Sequence, residues 1–146
     1  DILQNCRMVF VCAGINVRAN TDKSVLNIVR RLDRNGAVIG AICTGTYVMA
    51  AAGLLEDRRC TIHWENIDGL AEEFPELEIT NDLFEVDGTR VTCSGGTAAL
   101  DMMLNLITQT HGAQLAAEVS DQFIHDRIRE PTDRQPTERA AQSQRL

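Results

Sequence analysis

Residues 40–55 read GAICTGTYVMAAAGLL and join an apolar, strand-like run to an alanine-rich, helix-like run. Cys43 lies at the junction, between Gly40 and Gly45. A tight turn from strand to helix projects a side chain over the carboxyl edge of a sheet, where small neighbours let the backbone approach a ligand. The stretch predicts an α/β fold in which Cys43 is a nucleophile, the floor of a binding pocket or a small buried core residue.

The residues before this turn complete a strand–helix–strand unit. Residues 7–13 and 37–43 are short β-branched, apolar runs typical of strands buried in a parallel sheet. Between them, apolar residues recur at helical spacing, which predicts a helix that starts and is capped at Asn20 or Thr21 and ends at Asn35. Such a unit is expected to be right-handed, so the two strands are predicted to be parallel.

The alternation of helices and strands continues after the turn. The predicted elements are a helix reaching Gly53, a strand at 60–63, a helix within 64–77 that stops before Pro75, a hairpin at Asp87–Gly88, a long helix capped by Ser94 and a helix over 113–127. This order predicts a three-layer α/β sandwich with a mainly parallel, flavodoxin-like sheet. Because one side of such a core would be thin, we expect an opening β-α-β portion to be absent.

Composition excludes several classes of function. The 146 residues are 44% hydrophobic and fit one domain, while a net charge of −7 argues against direct binding to nucleic acid. No apolar run is long enough for a membrane span, so we expect a soluble, cytoplasmic protein without a membrane partner. The five cysteines lack a CxxC pair or ligand spacing, and we therefore expect mostly buried, reduced thiols, no disulfide and no metal.

The last helices and the tail give further predictions about buried residues, exposed residues and the end of the domain. Met102 and Met103 are expected to pack in the core through the apolar face of the long helix, and His125 is expected on the final helix, in solvent or at an interface. After Glu130 the sequence becomes polar and contains two prolines. We therefore predict one domain over residues 1–130 and a linker over residues 131–146.

Several motifs together resemble a known family. They are C-T-G at 43–45, A-G-L-L at 52–55, T-x-H-W at 61–64 and a glycine-led helix after a D-G hairpin. From about residue 7 to 130 the chain resembles the class I glutamine amidotransferase-like (ThiJ/PfpI) domain. More narrowly, it is similar to the version that forms the N-terminal sensor of AraC-family transcriptional regulators. The tail, residues 123–135, resembles the segment leading to their DNA-binding helices, which are not in this sequence.

The resemblance implies a ligand pocket at the carboxyl edge of the sheet. Cys43 would be the elbow residue, the loop at Gly14 and Ile15 would face its thiol with a backbone N–H, and Thr44 would supply a second N–H. The ligand-binding residues implied are Gly14, Ile15, Cys43, Thr44, His63, Trp64, Cys93, Ser94 and Gly95. No cofactor and no metal are implied.

The function implied is that of a ligand-sensing and dimerising domain. The ligand would be a small metabolite, an amino acid or a quaternary amine, and DNA would be bound only through a domain outside this sequence. In hydrolytic members a histidine follows the cysteine, whereas Thr44 stands here, and no activating carboxylate can be named, so catalysis is not expected. The alternatives are a cysteine-dependent enzyme resembling isonitrile hydratase, with Cys43 catalytic, and a domain that serves only for dimerisation.

Overall fold

The computed structural model describes residues 2–136, and it contains six strands and five α-helices in that range. In chain order they are β1 Met8–Ala13, α1 Lys23–Arg34, β2 Val38–Cys43, α2 Gly45–Ala51, β3 Arg59–Thr61, α3 Ile67–Glu73, β4 Glu78–Thr80, β5 Phe84–Asp87, β6 Arg90–Cys93, α4 Ala98–His111 and α5 Ala113–Gln122. Short 3-10 helices cover Ile2–Asn5, Arg18–Asn20 and Trp64–Asn66. The final helix therefore ends earlier than residue 127.

The main sheet has the strand order β1-β2-β6-β5, in which β1, β2 and β6 are parallel and β5 is antiparallel to β6. This confirms the mainly parallel sheet and the hairpin at Asp87–Gly88. A separate parallel pair, β3 with β4, completes the strands of the described chain, and β4 was not predicted. The register places Ala13 beside Cys43 and Ile42 beside Cys93, so the chain leaves β1, β2 and β6 at one edge.

Apolar side chains pack on both faces of the main sheet. One cluster joins α1, α2 and β3 to the sheet and contains Ile39, Met49 and Leu55 at zero exposure. The other lies under α4 and contains Phe84 and Met102, which are equally buried. This arrangement confirms the three-layer sandwich. No helix within residues 2–136 combines the length and the apolar character needed to cross a bilayer.

The cap of α1 differs from the prediction. Asp22 is the N-cap, and its Oδ1 accepts hydrogen bonds from the backbone N–H groups of Ser24 (2.9 Å) and Val25 (3.0 Å). Neither Asn20 nor Thr21 caps the helix, because both fold back on the preceding turn, where the Thr21 hydroxyl donates to the Val17 carbonyl at 2.7 Å. A carboxylate at the N-cap also interacts favourably with the helix dipole.

The predicted cap of the long helix is also wrong. α4 begins at Ala98, and its N-cap Thr97 makes no side-chain capping bond. Ser94 is buried and extends the sheet, since its backbone N–H donates to the Leu83 carbonyl at 2.9 Å. Gly95 and Gly96 adopt positive φ angles of 90° and 56°, which delay the helix by three residues.

Three further predictions are corrected near the chain's end. Met102 lies in the core as expected, but Met103 is 37% exposed. His125 follows α5, and its Nε2 lies 2.8 Å from the carboxylate of Asp101. Residues 131–135 are not separate from the domain: Arg134 forms an antiparallel bridge with Asp82, and Gln135 is buried. The rest of the predicted linker, residues 137–146, lies outside the described residues.

Candidate functional site

Cys43 ends β2 in a strained backbone conformation. Its φ is 60°, in the left-handed region that non-glycine residues seldom occupy, and α2 begins two residues later at Gly45. A Cβ on Gly45 would collide with the Val11 carbonyl oxygen, and a Cβ on Gly95 would lie 2.7 Å from the Cys43 Cβ. The small residues around the cysteine are therefore required by close packing, and the turn is the elbow that the sequence predicted.

Thr44 ties the elbow to the loop after β1. Its hydroxyl donates a 2.6 Å hydrogen bond to the Gly14 carbonyl oxygen, and the threonine itself is only 6% exposed. Thr44 therefore fixes the spacing between the two strand ends on either side of the thiol.

An open cleft of about 690 Å³ lies over Cys43. Five of the predicted site residues line it: Gly14, Ile15, Cys43, Thr44 and His63. The other four are not among its lining residues. Trp64 borders His63, with the two ring centroids 5.8 Å apart, whereas Cys93 and Ser94 are buried and Gly95 packs against the cysteine side chain. The structure thus brings the predicted residues to one edge of the sheet but divides them between the cleft and the layer beneath it.

His63 is held by the short helix that follows it. Its Nδ1 accepts a 3.4 Å hydrogen bond from the backbone N–H of Glu65, whose carboxylate lies 3.7 Å from the same nitrogen. A neutral ring that accepts at Nδ1 carries its proton on Nε2. His63 can therefore present a hydrogen-bond donor while it caps the turn.

Sequence reasoning missed one wall of the cleft. Arg18 crosses from the loop after β1 to α3, where its Nε and Nη2 contact a Glu73 carboxylate oxygen at 3.0 and 2.8 Å. The Tyr47 hydroxyl donates to the other oxygen of Glu73 at 2.9 Å, and the Arg18 guanidinium lies 5.4 Å from the centre of the Tyr47 ring. These residues are far apart in the sequence, so no local motif indicated the cluster.

Electrostatic effects in this wall all involve Glu73. Its hydrogen bond and charge raise the pKa of Arg18, and burial followed by the same carboxylate raises the pKa of Tyr47. Both residues therefore keep their protons, so the wall presents the Arg18–Glu73 ion pair next to an aromatic hydroxyl.

The buried thiols near the sheet are poor nucleophiles. Burial raises the pKa of Cys93 even though the backbone N–H groups of Gly95 and Cys43 donate to its sulfur, and burial raises the pKa of Cys60 to about 12. Cys43 is half-buried and opens to the cleft. It is the thiol at the floor of the cleft that a small molecule can reach.

The described residues supply no activating partner for this thiol. Within residues 2–136, no hydrogen bond or ion pair joins the Cys43 sulfur to a histidine or carboxylate, and no group of three potential metal ligands occurs. The half-buried thiol, the polar wall and the open mouth of the cleft together suit the binding of a small molecule.

Comparisons with known proteins agree with this geometry. The sequence profile described as the DJ-1/PfpI family matches residues 4–109. The chain is 49% identical over 128 residues to the HTH-type transcriptional regulator CdhR of Pseudomonas aeruginosa, covering 88% of this chain and 38% of that protein. It is 33% identical over 104 residues to isonitrile hydratase of Pseudomonas putida, covering 70% of this chain and 44% of the enzyme.

A solved structure shows the same fold. The crystal structure of an AraC family transcriptional regulator from Pseudomonas putida superposes with a TM-score of 0.73 at 26% sequence identity, covering 84% of this chain and 65% of that one. The chain spans less than half the length of the two curated relatives named here.

Proposed function

Because this chain belongs to the DJ-1/PfpI family, we propose that it is the ligand-sensing part of a bacterial AraC-type transcriptional regulator. The observation that carries the proposal is the cleft over Cys43, which is open to a small molecule and lacks an activating partner for the thiol among the described residues. The similarity to CdhR supports a regulator. Binding to DNA is assigned to another part of the protein, because a net charge of −7 disfavours phosphate contacts here.

The ligand of this sensor is a small metabolite, an amino acid or a quaternary amine. A cleft of about 690 Å³ lies within the range that suits such molecules. Its wall offers the carboxylate of Glu65 to an ammonium group and the exposed guanidinium of Arg18, beside Glu73, to a carboxylate, while Trp64 at the border of the cleft provides an aromatic face for a cation.

The predicted site residues take two roles in this proposal. The residues that touch the ligand are Gly14, Ile15, Cys43, Thr44 and His63, with Trp64 at the border. Cys93, Ser94 and Gly95 shape the floor from below, because they are packed under the elbow. Residues 137–146 are assigned to a linker towards the DNA-binding part.

A thermal-shift screen of amino acids, betaines and other small amines on the intact protein tests the sensor. A ligand at a hundred times its Kd is expected to raise the melting temperature by roughly 8 °C. Cys43→Ala and Glu65→Gln are expected to reduce that shift, whereas Glu76→Gln, an exposed change outside the cleft, is expected to preserve it. If no compound of these classes stabilises the protein, the sensor proposal fails.

We further propose that the protein forms a homodimer, because the twofold dimer is the commonest symmetric assembly of soluble proteins. Three large apolar side chains on α5 and the turn after it are exposed: Leu115, Phe123 and Ile124. Light scattering of this 16.1 kDa chain is expected to give about twice that mass, and a monomeric mass at micromolar concentration would contradict the assignment.

Two observations favour a second candidate, a cysteine-dependent enzyme. The positive φ of Cys43 is the kind of strain found at catalytic residues, and isonitrile hydratase is among the relatives. The rate of iodoacetamide reaction at Cys43, followed by peptide mapping against pH, distinguishes the two. A rate that keeps rising to about pH 8.5 indicates an ordinary thiol and favours the sensor, while a rate already maximal at pH 7 favours the enzyme.

A further inference from the structure

The segment that follows α5 is held to the domain by polar contacts. The chain turns at Ile124, whose φ is 52°, and residues 125–135 then run back along the domain. We call residues 125–135 the output strap. Only Gln135 among them is fully buried, so the strap is attached by hydrogen bonds and ion pairs more than by apolar packing.

The first anchor of the strap is Asp101, a carboxylate of α4 with no exposed surface. Its two oxygens accept hydrogen bonds from the backbone N–H (2.7 Å) and the Nε (2.8 Å) of Arg129, and His125 Nε2 lies 2.8 Å away. Arg129 also donates to the hydroxyl of Thr97 at 2.8 Å. A buried charge with this many partners fixes the start of the strap strongly.

The second anchor is the side chain of Gln135. Its Nε2 donates to the Ile62 carbonyl (2.9 Å), the Thr61 hydroxyl (3.0 Å) and the Asp82 carbonyl (3.2 Å). The Gln135 backbone N–H donates to the Asn81 carbonyl at 3.0 Å. Its Oε1 is buried without a hydrogen-bond partner among the described residues, so this anchor is incompletely satisfied and is the weaker of the two.

The weaker anchor adjoins the ligand cleft. Ile62, whose carbonyl oxygen accepts from Gln135, lines the cleft, and so does the next residue, His63. The preceding residue, Thr61, accepts a 2.8 Å hydrogen bond at its carbonyl from the hydroxyl of Thr46 on α2, the helix that starts at the elbow. The end of β3 therefore touches the cleft on one side and the strap on the other.

We propose that the output strap reports occupancy of the cleft: a molecule over Cys43 restrains Ile62 and His63, and this strengthens the docking of Gln135. This proposal rests on the sensor function proposed above, because a strap that responds to ligand matters only if the domain senses a ligand and passes the signal to the part that is assigned to DNA binding. Release of the strap exposes little apolar surface, so it can occur without unfolding the domain. By linkage, loss of the Gln135 anchor weakens binding in the cleft by the same factor by which binding strengthens the anchor.

The test uses a covalent probe, so that it does not depend on knowing the effector. Iodoacetamide places a carboxamidomethyl group on Cys43 in the intact protein carrying Cys6→Ser and Cys12→Ser. Hydrogen exchange is then measured at two backbone amides. The N–H of Leu83 donates to the carbonyl oxygens of Pro131 and Asp133 on the strap, and the N–H of Gln135 donates to the carbonyl oxygen of Asn81. We expect exchange at both amides to slow at least threefold on alkylation, and trypsin cleavage after Arg129 to slow with it.

Two variants provide the comparison. In Gln135→Leu, alkylation of Cys43 is expected to leave exchange at Leu83 unchanged, whereas Thr132→Ala, an exposed change on the same strap, is expected to retain the threefold effect. Unchanged or faster exchange in the parent protein overturns the proposal without reference to either variant. An equal response in Gln135→Leu, with exchange in α4 intact, overturns the role of Gln135.

The two proposals fail independently. Binding of an amine in the thermal-shift screen without slower exchange at Leu83 overturns the strap alone. Slower exchange on alkylation with no stabilising metabolite supports the coupling between cleft and strap and overturns the sensor function with its assigned ligand class.

Discussion

At the scale of single residues, the conformation of Cys43 sets the geometry of the site. A left-handed backbone conformation destabilises an L-residue by about 1–2 kcal/mol. The folded protein retains this conformation at Cys43 because β2 and α2 fix the turn on both sides. The same turn places the sulfur at the floor of the cleft. A residue with a side chain is therefore kept at a position whose backbone favours glycine.

This strain can be measured with two variants that both lack the thiol. Cys43→Gly is expected to be about 1 kcal/mol more stable than Cys43→Ala, because only glycine adopts a φ of 60° without steric cost. Chemical denaturation of the two proteins provides the comparison. An alanine variant as stable as the glycine variant would show that the turn is not strained.

Gly95 supports the same site from below. Its Cβ would lie 2.7 Å from the Cys43 Cβ, while a Cβ on its neighbour Gly96 would meet nothing within 4 Å, although both residues have positive φ. Gly95→Ala is therefore expected to be less stable than Gly96→Ala by about 1–3 kcal/mol, the usual cost of overpacking. Melting curves and the alkylation rate at Cys43 test this pair, and equal losses in the two variants would contradict the close approach.

At the scale of elements, the start of α1 depends on a carboxylate. Hydrogen bonds from the Ser24 side chain and the Val25 backbone lower the pKa of Asp22. A lowered pKa in the folded state means that the charged form stabilises the fold, so this contribution is complete above the unfolded pKa of about 3.9 and is lost as pH falls through the lower, folded value.

Asp22→Ala is accordingly expected to lower the melting temperature by a few degrees at pH 6, and the difference from the parent is expected to shrink below about pH 4. Thermal melts from pH 2 to 7 measure both effects. Lys23→Ala, at the next position, provides a control that keeps the cap. A difference that persists unchanged at pH 2 would rule out the charged cap as its cause.

At the scale of the whole molecule, Asp101 links α4 to the output strap across 28 residues of sequence. The carboxylate is fully buried and its principal cation is Arg129, so removal of the arginine side chain leaves the buried carboxylate with His125 Nε2 and the backbone N–H of residue 129 as its partners. Breaking one side of such a pair costs more than the pair itself contributes.

Arg129→Ala is therefore expected to destabilise the protein by about 2–4 kcal/mol, somewhat less than a fully buried pair because the guanidinium is partly exposed. Arg127→Ala is the matched control: that side chain is 65% exposed and pairs with Asp133, and its loss is expected to cost less than about 0.5 kcal/mol. Denaturant titration separates the two. Equal effects would show that Asp101 does not anchor the strap.

The sequence by itself determined the alternation of strands and helices, the hairpin at Asp87–Gly88 and the elbow at Cys43. These features depend on short-range patterns: apolar runs, turn residues and glycines beside the cysteine. The two wrong cap predictions also came from short-range patterns, because Thr21 and Ser94 have side chains typical of N-caps. In the folded chain, the Thr21 hydroxyl donates to the Val17 carbonyl, and the backbone of Ser94 extends β6.

Tertiary structure alone decided the cleft wall and the attachment of the strap. Arg18 and Glu73 are 55 residues apart, and Gln135 reaches residues 73 and 74 positions before it. Such pairs satisfy buried or half-buried polar groups that only the folded chain brings together, and no local periodicity encodes them. For the same reason, the polar residues 131–135 read as a linker in the sequence although their hydrogen bonds hold them to the domain.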